Sequence, residues 1–467
     1  MKEKIISFMK QERTWEILFL GFLFCFYMGW AYVMPFNSCP DEAMRYQVAE
    51  YIYANGKLPH GADPSIINPI WGFSYAFYPM LAYMIGAVFM KITSIFTTDP
   101  AWLVLAARMV SVLCGIGMAA FTIKIGKKIF KGWQALLFIA IVVLLPQSVY
   151  MFTYVNTDAL ALFSISMIVY MWIKGLESGW ELKYCVGLSI GISICALSYY
   201  NAYGFILCSI LLFGLSILLC YEKKWDYQTM LKKGLIVSAI VLALIGWWFV
   251  RNYILYDGDM LGLNITNYYG ELYAQDGMKP SQRALRTPQA IGMSVWDMLT
   301  KGYNGAPDSW LDIASSSFIG CFGYMTLFLS KKITTGYWMV LVTGIFGSLI
   351  HLKENYTLTK EGRLRKEGLF NWCMLIALII PNVLNIYNSY TSDYQAQGRY
   401  SLPMLIPLAY FVTKGWNDLL TGVVKKKTVR DAIMIGISVI FLVLVLYIYK
   451  TVIRTTYLAT PLIDIGI

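Results

Sequence analysis

Long apolar runs recur along the chain, each closed by a short polar or basic segment. A helix needs about 20 apolar residues to cross a hydrocarbon layer of about 30 Å, so runs of this length predict membrane helices. Such runs lie at 15–35, 101–123, 134–152, 158–173, 184–199, 203–221, 234–250, 336–350, 370–386, 401–413 and 432–449. Basic residues orient them, because Lys and Arg stay on the cytoplasmic side. The amino end, from Met1 to Arg13, is basic and lacks a small-residue cleavage site, so it is read as cytoplasmic and uncleaved. Lys124, Lys127, Lys128 and Lys131 follow the 101–123 run, and similar clusters sit at Lys223–Lys233, Lys353–Lys366 and Lys425–Arg430.

One apolar stretch fails this test. Residues 71–92 are long enough to cross, but a crossing there would put Lys124–Lys131 on the wrong side. The stretch also contains Pro79 and many aromatics. It is read as a re-entrant or juxtamembrane segment of the first outer loop, 36–100. The expected architecture is therefore an all-α polytopic membrane protein of about eleven spans. It divides into a module at 1–250, a large outer loop at 251–335 and carboxy-terminal helices at 336–467. Within that outer loop, 315–330 is expected to form an amphipathic surface segment.

Composition agrees with lipid as the solvent. The chain has 467 residues and is 58% hydrophobic and 14% charged, against about 45–50% and about 25% in soluble proteins. A net charge of +11 would suit nucleic acid, but the cations occupy short loops between spans, so nucleic acid is excluded as a partner. The nine cysteines fall in no CxxC spacing and the only histidines are His60 and His351, which excludes structural zinc. Cys39 and Cys321 both fall on the outer side, and no spacing argument pairs them.

The charge map also gathers polar residues from distant parts of the chain at outer helix ends: Asp41, Glu42, Asp158, Arg251, Asn252, Gln397 and Arg399. The segment Ser38-Cys39-Pro40-Asp41-Glu42-Ala43-Met44-Arg45-Tyr46 reads first as a helix start. Ser38 would be the N-cap and Asp41 would complete a capping box. Acids at a helix start are worth about 0.3–1 kcal/mol, so structure alone would explain the pair. The alternative is catalysis: a carboxylate at the membrane surface is partly desolvated, which suits a base. Asp158 has the same two readings, N-cap or functional acid. Arg399 and Arg251 are either cations for an anion or side chains snorkelling to lipid headgroups. Trp296, Tyr303 and Trp310 of the large loop would anchor at the interface or stack on a sugar.

Pro40-Asp41-Glu42-x-x-Arg45-Tyr46, followed by Asn55-Gly56-x-Leu58-Pro59, resembles the first periplasmic loop of the lipid A aminoarabinose transferases, protein mannosyltransferases and related GT-C glycosyltransferases. Most of the chain also resembles an uncharacterised family of bacterial predicted membrane proteins. That likeness rests on Val155-Asn156-Thr157-Asp158-Ala159-Leu160, Trp247-Trp248-x-x-Arg251-Asn252-Tyr253, Ser317-Phe318-x-x-x-Phe322-Gly323-Tyr324 and Gln397-Gly398-Arg399-Tyr400-x-Leu402-Pro403. The large soluble carboxy-terminal domain of oligosaccharyltransferases is missing.

The resemblance implies a GT-C-like bundle in a bacterial plasma membrane with its site on the extracytoplasmic side. It implies an inverting transfer of a sugar from a polyprenyl-phosphate donor, such as an undecaprenyl carrier, to an extracytoplasmic glycan or lipid (a cell-wall polysaccharide, a teichoic acid or a glycolipid). Asp41 matches the catalytic carboxylate, with Glu42 in support. Arg45, Tyr46, Asp158, Arg251, Asn252, Gln397, Arg399 and Tyr400 are implied to bind substrate or phosphate. Asp41 and Asp158 are the ligands implied for a divalent cation, Mg or Mn, if one is used. A lipid-linked-sugar flippase and a non-catalytic wall-assembly partner are the competing readings. A transporter should show internal repeats and midplane charges, and neither is evident.

Overall fold

The computed structural model describes residues 12–360 and 362–458; the basic amino end, residues 1–11, lies outside them. All eleven expected runs are helical. They form α1 (Glu12–Val33), α4 (Pro100–Ile129), α5 (Trp133–Leu144), α6 (Asp158–Ser178), α7 (Leu182–Ala196), α8 (Gly204–Leu219), α9 (Tyr227–Leu255), α12 (Lys331–Ser348), α13 (Lys366–Thr391), α14 (Leu405–Val423) and α15 (Lys427–Ile448). Between them lie α2 (Glu42–Asn55), α3 (Leu81–Thr93), α10 (Leu263–Tyr273) and α11 (Trp310–Gly320). Among the described residues, seven helices are long and apolar enough to cross a membrane, and the fold is all-α and polytopic. Sheet is limited, among the same residues, to two short hairpins, at 321–328 and 359–364.

The segment at 71–92 forms its helix only from Leu81. That helix has 13 residues, or about 20 Å at 1.5 Å per residue, too short for a hydrocarbon layer. Residues 71–80 are irregular apart from one 3-10 turn at Tyr75–Phe77. The run at 134–152 is broken at Leu145, because Pro146 starts a new short helix to Met151. The amphipathic segment expected at 315–330 is instead the end of α11 followed by the 321–328 hairpin.

The helices pack as bundles do in lipid, where small residues let backbones approach. The clearest case is α12 against α14. A Cβ added at Gly415 would sit 1.7 Å from the Gly344 carbonyl oxygen, and one at Gly347 would sit 2.3 Å from that of Gly415. A second close set holds the end of the bundle that carries loop 36–100. There α4 packs on α1, α3 and α6, which brings the starts of α2 and α6 together. α9 is the outlier: only 11% of its apolar window is buried, the lowest share among the seven long apolar helices.

Candidate active site

The start of α2 is not a capping box. Ser38 Oγ donates to the Pro35 carbonyl at 2.7 Å instead of capping. The N-cap is Asp41, in the left-handed region at φ 61, and its carboxylate makes no cap bond. A non-glycine residue there carries backbone strain of about 1–3 kcal/mol, tolerated where the surroundings over-determine it. The Asp41 carboxylate is thus not used to cap its own helix.

What holds this turn is Arg108 of α4, a residue that no sequence motif singles out. Its five N–H groups all find acceptors. Nε and Nη2 donate to the two Glu42 carboxylate oxygens, each at 2.7 Å. Nη1 donates to the carbonyls of Ala31 and Met34, both at 2.6 Å, and Nη2 also to that of Pro35 at 3.1 Å. Glu42 is equally saturated, accepting from Val155 N–H at 3.2 Å and Asn37 N–H at 3.1 Å. Both side chains are 0% exposed. A buried pair of this kind is tolerable only when fully hydrogen-bonded, and it specifies geometry more than it adds stability. It ties the end of α1, the start of α2 and the turn before α6 into one unit. The two Glu42 oxygens are already taken. A lone Arg inside an apolar span was the available signal.

Asp41, beside it, faces open space. Its Oδ2 lies 3.3 Å from Arg399 Nη2 and 3.7 Å from Arg45 Nη2. Burial pushes the Asp41 carboxyl up, but Arg399, then Arg45, with a hydrogen bond from Tyr75, hold it below the usual carboxylate range. Arg45 Nη1 also reaches Asp158 Oδ2 at 3.2 Å, and its guanidinium lies 4.8 Å from the Tyr75 ring centre. Asp158 is not the N-cap of α6: the Asn156 side chain caps it, accepting from Ala159 N–H at 2.8 Å.

Arg399 sits in a 3-10 segment, Gly398–Met404, before α14. Its Nε donates to Gln397 at 2.7 Å and its Nη2 to the Tyr400 hydroxyl at 3.1 Å. Tyr400 in turn donates to Gln395, which donates to Asp393 at 2.8 Å. Asp393 pairs with Arg283 at 3.2 Å, and Arg283 lies over the Trp71 ring at 5.5 Å. One polar chain therefore links the three loops around the site.

Two cavities meet at this cluster. One, of about 310 Å³, is lined by Asp41, Arg45, Arg399, six tyrosines and the amides of Asn201, Asn385 and Asn388. The other, of about 410 Å³, includes Pro40, Trp71, Arg283, Tyr324, Tyr394 and Gln397. Asp41, Phe73, Tyr75, Gln395, Arg399 and Tyr400 line both. Two guanidinium nitrogens beside Asp41, Arg45 Nε and Arg399 Nη1, are buried without a hydrogen-bond partner. Buried donors are normally satisfied, so these two nitrogens keep donor capacity that an anion would use.

The structure brings Asp41, Arg45, Asp158, Gln397, Arg399 and Tyr400 together and leaves four implied residues aside. Glu42 is locked to Arg108. Tyr46 packs edge-on against Phe36 at 5.2 Å. Arg251 donates to the Pro59 carbonyl at 2.6 Å, and Asn252, fully buried, donates to Phe77 and Met260 carbonyls at 3.3 Å each. These last two hold loop backbone, the role that a polar residue at a helix end takes when bare carbonyls lie within reach. Of the large-loop aromatics, Trp296 is exposed and Trp310 is buried in a small separate core. Tyr303 stacks on Tyr394 at 4.1 Å, behind the second cavity. Cys39 and Cys321 are both free.

The donor set does not suit a divalent cation. Among the described residues no three His, Cys, Asp or Glu side chains converge, and the two acids in question already share the Arg45 guanidinium.

No protein-family model matches the sequence, and no curated protein matches it. Solved structures do match by shape. The archaeal oligosaccharyltransferase AglB of Archaeoglobus fulgidus, in complex with an inhibitory peptide and a dolichol-phosphate, matches over 96% of this chain and 56% of its own, at 10% identity and a TM-score of 0.54. The apo oligosaccharyltransferase of the same organism matches over 93% and 55%, at 11% identity and a TM-score of 0.53. ArnT from Cupriavidus metallidurans bound to undecaprenyl phosphate covers 96% and 74%, at 12% identity and a TM-score of 0.49, a likeness too weak to carry an argument. The chain thus spans little more than half the length of the oligosaccharyltransferase that it matches. What this chain shares with the oligosaccharyltransferase is the fold.

Proposed function

We propose that this protein is a GT-C-type glycosyltransferase of a bacterial plasma membrane, moving a sugar from a polyprenyl-phosphate donor to an extracytoplasmic acceptor. One observation carries the reading: Asp41 stands where two cavities meet, beside two buried guanidinium N–H groups that have no partner. The tyrosine- and amide-lined cavity, with both arginines, takes the donor sugar phosphate. The cavity at Trp71 and Arg283 takes the acceptor. An acceptor hydroxyl attacks the anomeric carbon from the Asp41 side, the bond from that carbon to the phosphate oxygen breaks, and the hydroxyl proton passes to Asp41. The released phosphate charge rests on Arg399 and Arg45, and the displacement inverts the anomeric centre. A bound phosphate also draws Arg399 away from Asp41, which makes the carboxylate a better base when the donor is in place. The acceptor class is a wall polysaccharide, teichoic acid or glycolipid.

The test is Asp41→Asn in protein reconstituted with polyprenyl-phosphate sugars. Asn keeps the shape and cannot take the proton, so transfer should fall by about 10²–10⁴-fold. Full transfer by a correctly folded Asp41→Asn protein would refute the assignment.

A further inference from the structure

The Arg45 guanidinium spans two acids contributed by different helix starts: Nη1 lies 3.2 Å from Asp158 Oδ2 and Nη2 lies 3.7 Å from Asp41 Oδ2. A divalent cation shared by these carboxylates would occupy the same ground. No third acid, histidine or cysteine side chain joins them among the described residues. Glu42, the neighbouring acid, is consumed by Arg108 and two backbone amides, and no three metal-ligating side chains gather among the described residues. The Arg45 side chain is 5% exposed and lies over the Tyr75 ring, so it is packed in place and not swung in from solvent. Its charge is permanent, because a guanidinium does not lose its proton in a protein. It also keeps a spare donor, Nε, buried and without a partner, in a residue that lines the first cavity.

We propose that Arg45 supplies, as a covalently fixed cation, the bridging positive charge that a divalent metal would supply between Asp41 and Asp158, and that sugar transfer by this chain therefore needs no divalent metal. The inference rests on the glycosyltransferase reading for its second half only. Arg45 holds the two carboxylates at one spacing and presents Nε toward the donor phosphate. A metal arriving at the same acids would meet like charge at contact distance.

The experiment uses the full chain in lipid nanodiscs and follows Mn²⁺ by electron paramagnetic resonance, which reads binding without turnover. Wild-type protein should show no Mn²⁺ site that depends on Asp158. Arg45→Ser removes the charge and leaves both acids, and should bind Mn²⁺ at least about tenfold more tightly than wild type. Adding Asp158→Asn should remove the gain. Wild-type Mn²⁺ binding that Asp158→Asn abolishes would overturn the proposal, and this arm stands even if Arg45→Ser does not fold. A folded Arg45→Ser protein with wild-type Mn²⁺ affinity would also overturn it. In the transfer assay with a polyprenyl-phosphate hexose, wild-type rates should be unchanged by EDTA; loss with EDTA and recovery with Mn²⁺ would count against it. If wild type transfers no sugar at all, the glycosyltransferase reading fails while the Mn²⁺ comparison still decides the role of Arg45.

Discussion

Glu42→Gln separates an anchor from a catalyst. Each carboxylate oxygen of Glu42 accepts two bonds, one from Arg108 and one from a backbone N–H at Val155 or Asn37. Glutamine offers one oxygen and one NH₂. Whichever way the amide turns, its NH₂ faces two donors, so half of the four bonds are lost. The Arg108 charge also loses its counter-ion at a site where both side chains are 0% exposed. Removing one partner of such a pair costs about 3–5 kcal/mol, a large share of the about 5–15 kcal/mol that holds a typical domain together. The strained turn at Asp41, one residue away, should loosen with it. We expect Glu42→Gln to melt well below wild type in detergent, and to transfer sugar slowly even at temperatures where it remains folded. Arg108→Lys should behave alike, because one ammonium cannot serve five acceptors. If Glu42→Gln melts with wild type while transfer is abolished, Glu42 takes part in the chemistry and the anchoring argument is wrong.

Arg399→Ala should weaken binding of polyprenyl phosphate by about 10–100-fold, the worth of one to two charge-assisted hydrogen bonds; unchanged affinity by calorimetry would remove Arg399 from the phosphate site. The pH dependence follows from Asp41, whose folded carboxyl lies below its ordinary value. A depressed carboxyl contributes fully to stability above its unfolded value of about 3.9, and that contribution is lost as pH falls through the folded value. The Asp41-dependent acid limb of kcat/KM should therefore fall below about pH 4, and Arg399→Gln should move it upward. A wild-type limb near pH 6 that disappears in a residually active Asp41→Asn protein would contradict this. For topology, maleimide labelling of Lys57→Cys and Lys128→Cys, both exposed, should occur from opposite faces of sealed vesicles; labelling of both from one face would break the scheme.

How much of this was legible in the chain itself depends on the range of the forces involved. The helices at all eleven apolar runs could be read directly, because lipid offers no partner for a bare N–H or C=O and makes each span satisfy its own backbone. The reading of 71–92 as a segment that does not cross came from sequence as well, since loop charge is local and countable. Asp41 could be singled out, but its conformation could not: the capping box that its spacing promised gave way to a left-handed turn. The forces behind that turn are long-range. Arg108 reaches Glu42 across 66 residues, Arg45 reaches Asp158 across 113, and Arg399 reaches Asp41 across 358. The same distance explains Arg251 and Asn252, which the charge map assigns to the same layer as the site but which spend their donors on loop carbonyls. From hydropathy and charge, which act residue by residue, sequence alone predicts which residues share a depth in the membrane. Which of them touch was decided only by tertiary packing, because a buried charge must find its partner wherever the fold brings one.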